Sequence, residues 1–280
     1  MIDEHSLKPL INFDTRQQYL ESFFKMLADE YKNGNHLSLL SFINNYTIWN
    51  AYFALGVVAL TSQIGMRRNL FRDPTCPIPS VADRSIHVAS FVYDASRDEF
   101  NDSMTPTHAP HRSLAQALLL RLIQIHYADG FDFNEICKED EVLKDANDAT
   151  LRGYCGGREA GAALCFYGMG YHAGSEILAD MEFTALDRMF KEQLPELFDK
   201  LHGSTITLSG IELRPYHWIR AHSGHGAAVE QAHYAYAIKA INAGLQYVTA
   251  DKGACIRAME LGFTNFAVDQ MAFFDNVCKS

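Results

Sequence analysis

From His36 to Met66 the chain is apolar nearly all round and contains no proline. A helix that is apolar on every side has to be enclosed by other elements, so this segment predicts a central helix with more helices around it. Its most apolar part, Ala51 to Met66, is interrupted by Gly, Thr, Ser and Gln. It falls short of a membrane span and reads as a buried helix.

Helical periodicity continues on both sides. Tyr19, Phe23, Phe24, Met26, Leu27 and Tyr31 mark an amphipathic first helix that ends near Asn33-Gly34. Pro74, Pro77 and Pro79 make 70–83 a loop. A helix is expected from Asp83 to about Asp102, with a break over Thr105 to Pro110 and helix again from Ser113 to Tyr127. The polar stretch 128–154 reads as loop with a short helix. Gly156 to Leu201 reads as helix, bent or broken near Pro195, and its glycines predict close backbone packing. A short β-like run, Thr205 to Leu208, precedes the last helices, Pro215 to Leu245 and Ile256 to Cys278. With no repeat and no boundary, 1–280 is expected to be one all-α domain.

Composition narrows the function. The net charge is −10, from 24 Lys+Arg against 34 Asp+Glu, which disfavours nucleic acid as a partner because phosphate rewards clustered cations. Cys76, Cys137, Cys155, Cys165, Cys255 and Cys278 include no Cys-x-x-Cys pair. That fits a reduced, cytoplasmic setting, and the polar, acidic N-terminus does not read as a signal peptide. No GxGxxG after a strand, GxxxxGK[ST] or GxSxG motif is present.

The strongest chemical signal lies between Tyr216 and His233, which holds His217, His222, His225, Glu230 and His233. On one continuous helix His222 and His233 would differ by about 20° around the axis. Glu230-x-x-His233 has the spacing by which bundles present a carboxylate and an imidazole to one inward-facing metal. A single such pair is ordinarily an incidental polar face. Several histidines with an acid among Gly224, Gly226, Ala227, Ala228 and Ala232, and no lysine, argue for a site.

A second candidate is Glu176, the first carboxylate after a long run of small and apolar residues, with His172 as its rival. A buried carboxylate is costly unless paired or metal-bound, although an emerging solvent face is the plain alternative. A third cluster runs from Asp98 and Glu99 through Asp102 to His108 and His111, and alone it would read as an exposed loop. Together the three segments offer carboxylates and imidazoles without thiolate, which suits iron or manganese. About seven such ligands suit two metals better than one.

The order of these clusters resembles the haem-oxygenase-like di-iron oxidases. That superfamily includes CADD-like proteins, fatty-acid decarboxylases that form terminal alkenes, and enzymes that cleave or N-oxygenate amino acids. The resemblance implies a bundle of about seven helices holding two Fe(II) and using dioxygen as co-substrate. Glu99 or Asp102 with His111 would be the first ligand pair, Glu176 the bridging carboxylate, and Glu230 with His233 the late pair. The family writes its late helix His-x3-Asp-x2-His, whereas Gly226 stands four before Glu230. His222, a turn earlier, or His225, across a one-residue bulge, would take that place. The implied substrate is a small carboxylate-bearing metabolite, an amino or fatty acid; Arg220 could hold its carboxylate, although a solvated surface arginine is the plainer reading. No membrane partner is expected, and a homodimer is the default assembly. The competing readings are a metal-free thiaminase-like hydrolase of the same fold, with Cys165 as nucleophile, and a non-catalytic helical binding protein.

Overall fold

The computed structural model describes residues 1–95, 97–102, 105, 107–127, 131–132, 136, 141–155, 161–223 and 227–277, without the side chains of 155 and 227–230. The protein is all-α, with 76% helix and eleven α-helices among the described residues.

Helix α1 (Phe13–Lys32) opens where the side chain of Asn12 accepts the amide of Thr15, and α2 (His36–Met66) opens the same way through Asn35 and Ser38. A single helical turn, α3 (Pro79–Ala82), interrupts the proline-rich loop before α4 (Ser85–Asp94). The next segment is shorter than expected. In place of helix to Asp102, the chain leaves α4 at Asp94 and makes one 3-10 turn, Arg97–Glu99, before α5 (His111–His126). The polar stretch that read mostly as loop carries a full helix, α6 (Glu141–Cys155).

Helix α7 (Ala162–Arg188) runs unbroken past Glu176 and ends through a π-turn, Met189–Gln193. Pro195 then starts α8 (Pro195–His202), because a residue before proline resists helical geometry. The β-like run becomes a hairpin of β1 (Ile206–Leu208) and β2 (Ile211–Leu213). Ser209 and Gly210 both adopt positive φ, as a type I′ turn requires. The expected helix Pro215 to Leu245 is two helices, α9 (His217–His222) and α10 (Ala227–Tyr247), parted at Ser223, whose backbone is extended. Helix α11 (Lys252–Val277) closes the chain.

Helix α2 packs against α4 and α6, while α7 lies in the angle of α10 and α11. Phe42, Tyr46 and Trp49 of α2 meet Phe183, Trp218, Phe273 and Phe274 in one aromatic core, with Trp49 stacked on Phe273 at 4.2 Å. The Trp49 indole N–H donates to Thr150 Oγ1 at 3.0 Å and ties α2 to α6. One expectation fails here. By length and composition α2 could cross a membrane, and its second half is not buried, since Leu55, Val58 and Met66 stand exposed. The physical reason is that the surrounding helices cover only one side of this half, the side of Gly56, Val57, Leu60 and Ile64.

Candidate metal centre

The 3-10 turn and the loop after it decide how the first cluster is used. Asp102 N–H donates to the Ala109 carbonyl at 3.3 Å. Thr105 Oγ1 accepts the amide of Ala109 at 2.9 Å and donates to the Asp102 carbonyl at 2.9 Å. His108 closes the fold-back with φ of 51°, a conformation that histidine tolerates better than most residues. The loop thus brings Glu99 and Asp102 up to His111, the first residue of α5, across the break at Thr105 to Pro110.

Nδ1 of His111 lies 3.2 Å from Glu99 Oε1, and His222 Nε2 lies 3.9 Å from the same oxygen. One ligand atom from each of Glu99, His111 and His222 falls within 4.8 Å of the others. The far side of each imidazole is also engaged. His222 Nδ1–H donates to the Trp218 carbonyl at 2.7 Å, which fixes the tautomer and puts the ring's lone pair on Nε2. His111 Nε2 faces Asp102 Oδ2 at 3.6 Å, and that carboxylate also meets His217 Nε2 at 3.0 Å. Metal-binding histidines are held in this way by a carboxylate or carbonyl behind the ring. With a metal bound, Asp102 would stand in the supporting place behind His111, and Glu99 in a ligand place.

Glu176 lies beside this trio. Its Oε1 is 3.2 Å from His172 Nδ1, and its Oε2 is 3.4 Å from His233 Nδ1. His233 Nε2 reaches Asp98 Oδ2 at 3.7 Å. A cavity of about 40 Å³ joins the two groups, since Glu99, Glu176 and His222 all line it with Asn50 and Ser175. A larger cavity of about 340 Å³ adjoins Glu99 and His111 and is otherwise walled by Thr47, Asn50, Ala54, Phe100, Arg112 and Trp218.

The electrostatics follow from burial. Desolvation alone would raise Glu99, but His111 and His222 outweigh it and hold its carboxyl well below the usual range. For His111 burial lowers the pKa, while Glu99 and Asp102 together outweigh that and push it up to about 10. Burial, with His111 close by, lowers His222, and burial lowers His172. Both are thus neutral imidazoles with lone pairs to give. His172 is fully buried, yet neither ring nitrogen makes a well-aligned hydrogen bond. A polar group left so is costly in a protein interior and ordinary in a metal ligand. The residues present therefore fit a metal with oxygen and imidazole ligands.

Of the residues expected at the site, Glu99, Asp102, His111, Glu176, His222 and His233 come together. His225 lies outside the described residues, as does the side chain of Glu230. His222 and His233 converge for a different reason from the one expected. They are on separate helices, and the break at Ser223 makes the angle between them on a single helix irrelevant. Asp98, His172 and His217 had no settled role from the sequence. Asp98 and His217 stood within the quoted clusters, and His172 carried one usable signal, its place one turn before Glu176.

Two lesser candidates stand apart from the ligands, and for Arg220 the solvated alternative holds. Arg220 is exposed on α9, and the guanidinium beside the larger cavity belongs to Arg112, whose Nη1 donates to the Thr47 carbonyl at 2.7 Å. Cys165 is buried at the start of α7, with burial pushing its thiol up to about 11. Eleven residues of helix, roughly 16 Å, separate it from Glu176, so it is neither activated nor at the site. The chain matches no protein-family model, no curated protein and no solved structure.

Proposed function

We propose that this protein is an oxygen-activating non-haem iron enzyme, a haem-oxygenase-like di-iron oxidase or oxygenase acting on a small carboxylate-bearing metabolite. The observation that carries this reading is the convergence of Glu99, His111 and His222 from three separate segments, with Glu176 and its histidines across a cavity of about 40 Å³. Hard carboxylates with imidazoles and no thiolate suit Fe(II), whose binding would displace the proton that Glu99 and Asp102 hold on His111. One iron would be held by Glu99, His111 and His222, and a second by Asp98, His172 and His233, with Glu176 between them. Iron bound there supplies the redox chemistry that dioxygen needs.

The chain's own residues do the rest. The Trp218 carbonyl and Asp102 hold two imidazoles in register, so little reorganisation is needed when the ligands are used. Phe183 stacks on His222 at 4.3 Å and, with Phe53 and Phe266 on the wall of the small cavity, limits water near the ligands. The larger cavity would take the substrate, its apolar body against Ala51, Ala54, Leu55 and Trp218 and its carboxylate toward Arg112.

The test is metal analysis after anaerobic Fe(II) loading, followed by oxygen-uptake measurement. About two irons per chain, and oxygen consumption that candidate amino or fatty acids accelerate, are the expected results. A folded protein that takes up no iron sinks the reading.

A further inference from the structure

Glu182 lies on α7, six residues beyond Glu176, and is only 3% exposed. The metal reading gives it no task. Its carboxylate accepts the Tyr46 hydroxyl at 2.7 Å and the side-chain amide N–H of Gln270. Gln270 Oε1 in turn accepts Arg16 Nη1 at 3.1 Å. Helices α1, α2 and α11 thus each present one group toward it, and the only guanidinium among them stands one residue removed, behind an amide. Glu182 also lines the same cavity of about 40 Å³ as Glu99, Glu176 and His222. That volume has room for roughly one or two waters, and its walls offer enough polar partners to hold them.

A carboxyl in such a place has two stable forms rather than one. Burial favours the neutral acid, while two donors and a distant guanidinium favour the anion. Burial outweighs Gln270, Tyr46 and Arg16 and raises the group from 4.5 to about 7. A purely structural acceptor for Tyr46 and Gln270 would not need to line the ligand cavity.

We propose that Glu182 is a proton-holding residue of the metal cavity, outside the ligand set, which gives up its proton when positive charge enters that cavity. The proposal rests on the reading of the site as a metal centre. The step is a simple ionisation. The carboxyl O–H bond breaks, the electron pair stays on the carboxylate, and the proton passes to water in the cavity and then to solvent, with no electron transferred. The groups acting on it are Gln270 from α11, Tyr46 from α2 and Arg16 from α1, while Glu176 of α7, His222 of α9 and Glu99 of the 3-10 turn share the cavity wall with it. The gain is charge balance. Cations brought among several carboxylates would meet one more negative charge only when they are present, and the returning proton would be stored within reach of the reaction.

The experiment is infrared titration of the protonated-carboxyl stretch of the full chain across the neutral range, with and without Zn(II) as a redox-inert probe, alongside metal analysis. The wild-type protein should show a carboxyl band that is lost with a midpoint near neutrality and is missing from Glu182→Gln. Zn(II) should move the midpoint down, and Tyr46→Phe, which removes a donor to the anion, should move it up. Glu182→Gln should bind the same number of metal ions as wild type at saturation, with weaker affinity because the balancing charge is gone. Zinc uptake that leaves the band unmoved overturns the role of Glu182. So does a folded Glu182→Gln that has lost its metal, since Glu182 would then be a ligand. If Glu182→Gln fails to fold, the wild-type and Tyr46→Phe titrations decide alone. A band that titrates near neutrality in a protein that takes up no metal overturns the proposal through the metal centre instead, so the two failures look different.

Discussion

At the scale of single residues, the site depends on which nitrogen of each histidine is turned to the ligand cluster. His222 has its Nδ1 committed to the Trp218 carbonyl, and His111 has its Nε2 turned to Asp102. Asp102 sits 3.0 Å from His217 as well, so it is clamped from both sides. Asp102→Ala should therefore weaken metal binding by about 10–100-fold without abolishing it, the range for loss of a carboxylate behind a ligating imidazole. Glu99→Gln removes a ligand and should abolish binding at that position. Competition with a chelator separates the two, and equal losses in both variants would show Asp102 to be a ligand.

The helices that carry these residues are placed by close backbone packing. A Cβ built on Gly170 of α7 would stand 1.9 Å from the Met259 carbonyl oxygen of α11, and one on Gly262 of α11 would stand 2.0 Å from the Tyr167 carbonyl oxygen of α7. Neither neighbour is a flexible side-chain end, so the helices themselves would have to separate. Gly170→Ala should cost stability at or above the upper end of the roughly 1–3 kcal/mol typical of overpacking. Because Glu176 lies on the same helix, metal content should fall too. Urea denaturation with metal analysis checks both, and Gly253→Ala, beside flexible side chains only, serves as the mild control.

For the whole molecule, pH and metal are the natural levers on stability. Far from the site, the His126 ring lies tilted against His36 at 4.3 Å, and its Nε2 lies 3.1 Å from the Tyr31 hydroxyl, where α1, α2 and α5 meet. Burial, helped by His36 and Lys200, lowers it to about 4 from 6.5. Between those values the unfolded chain binds more protons than the folded one. Stability from this group is thus complete above about pH 6.5 and is lost as pH falls toward 4. His126 is partly exposed, so the loss should be about 1–2 kcal/mol. His126→Gln should flatten the slope of Tm against pH in that window, and an unchanged slope would rule His126 out as its source. Metal should act in the opposite sense. Free metal at about 100 times its Kd should stabilise the fold by about 2.7 kcal/mol. In a chain of this size that is a rise in Tm of roughly 5–10 °C, reversed by a chelator.

Much of this was legible in the residue order. The helical class, the bounds of α2 and the stop of α1 follow from periodicity and capping, which act over a few residues. The candidate acids and histidines were visible because a carboxylate or imidazole set among Ala and Gly has no charged neighbour of its own and needs a partner from elsewhere in the fold. Their assembly was not visible. Helix α9 ends at His222 because Ser223 turns extended, and Glu99 meets His111 only through a loop fastened by Thr105 and Ala109. Both are turns of irregular backbone that no helical period encodes. Nor does a period account for Asp98 and His217, which take their places from the fold around them, or for Glu182, whose character comes from Tyr46, Gln270 and Arg16 on three other helices. Residue types and spacing determined that this chain is helical and rich in potential ligands. Only the tertiary structure decided which of those ligands face one another, because direction and burial belong to the packing of helices and not to any one of them.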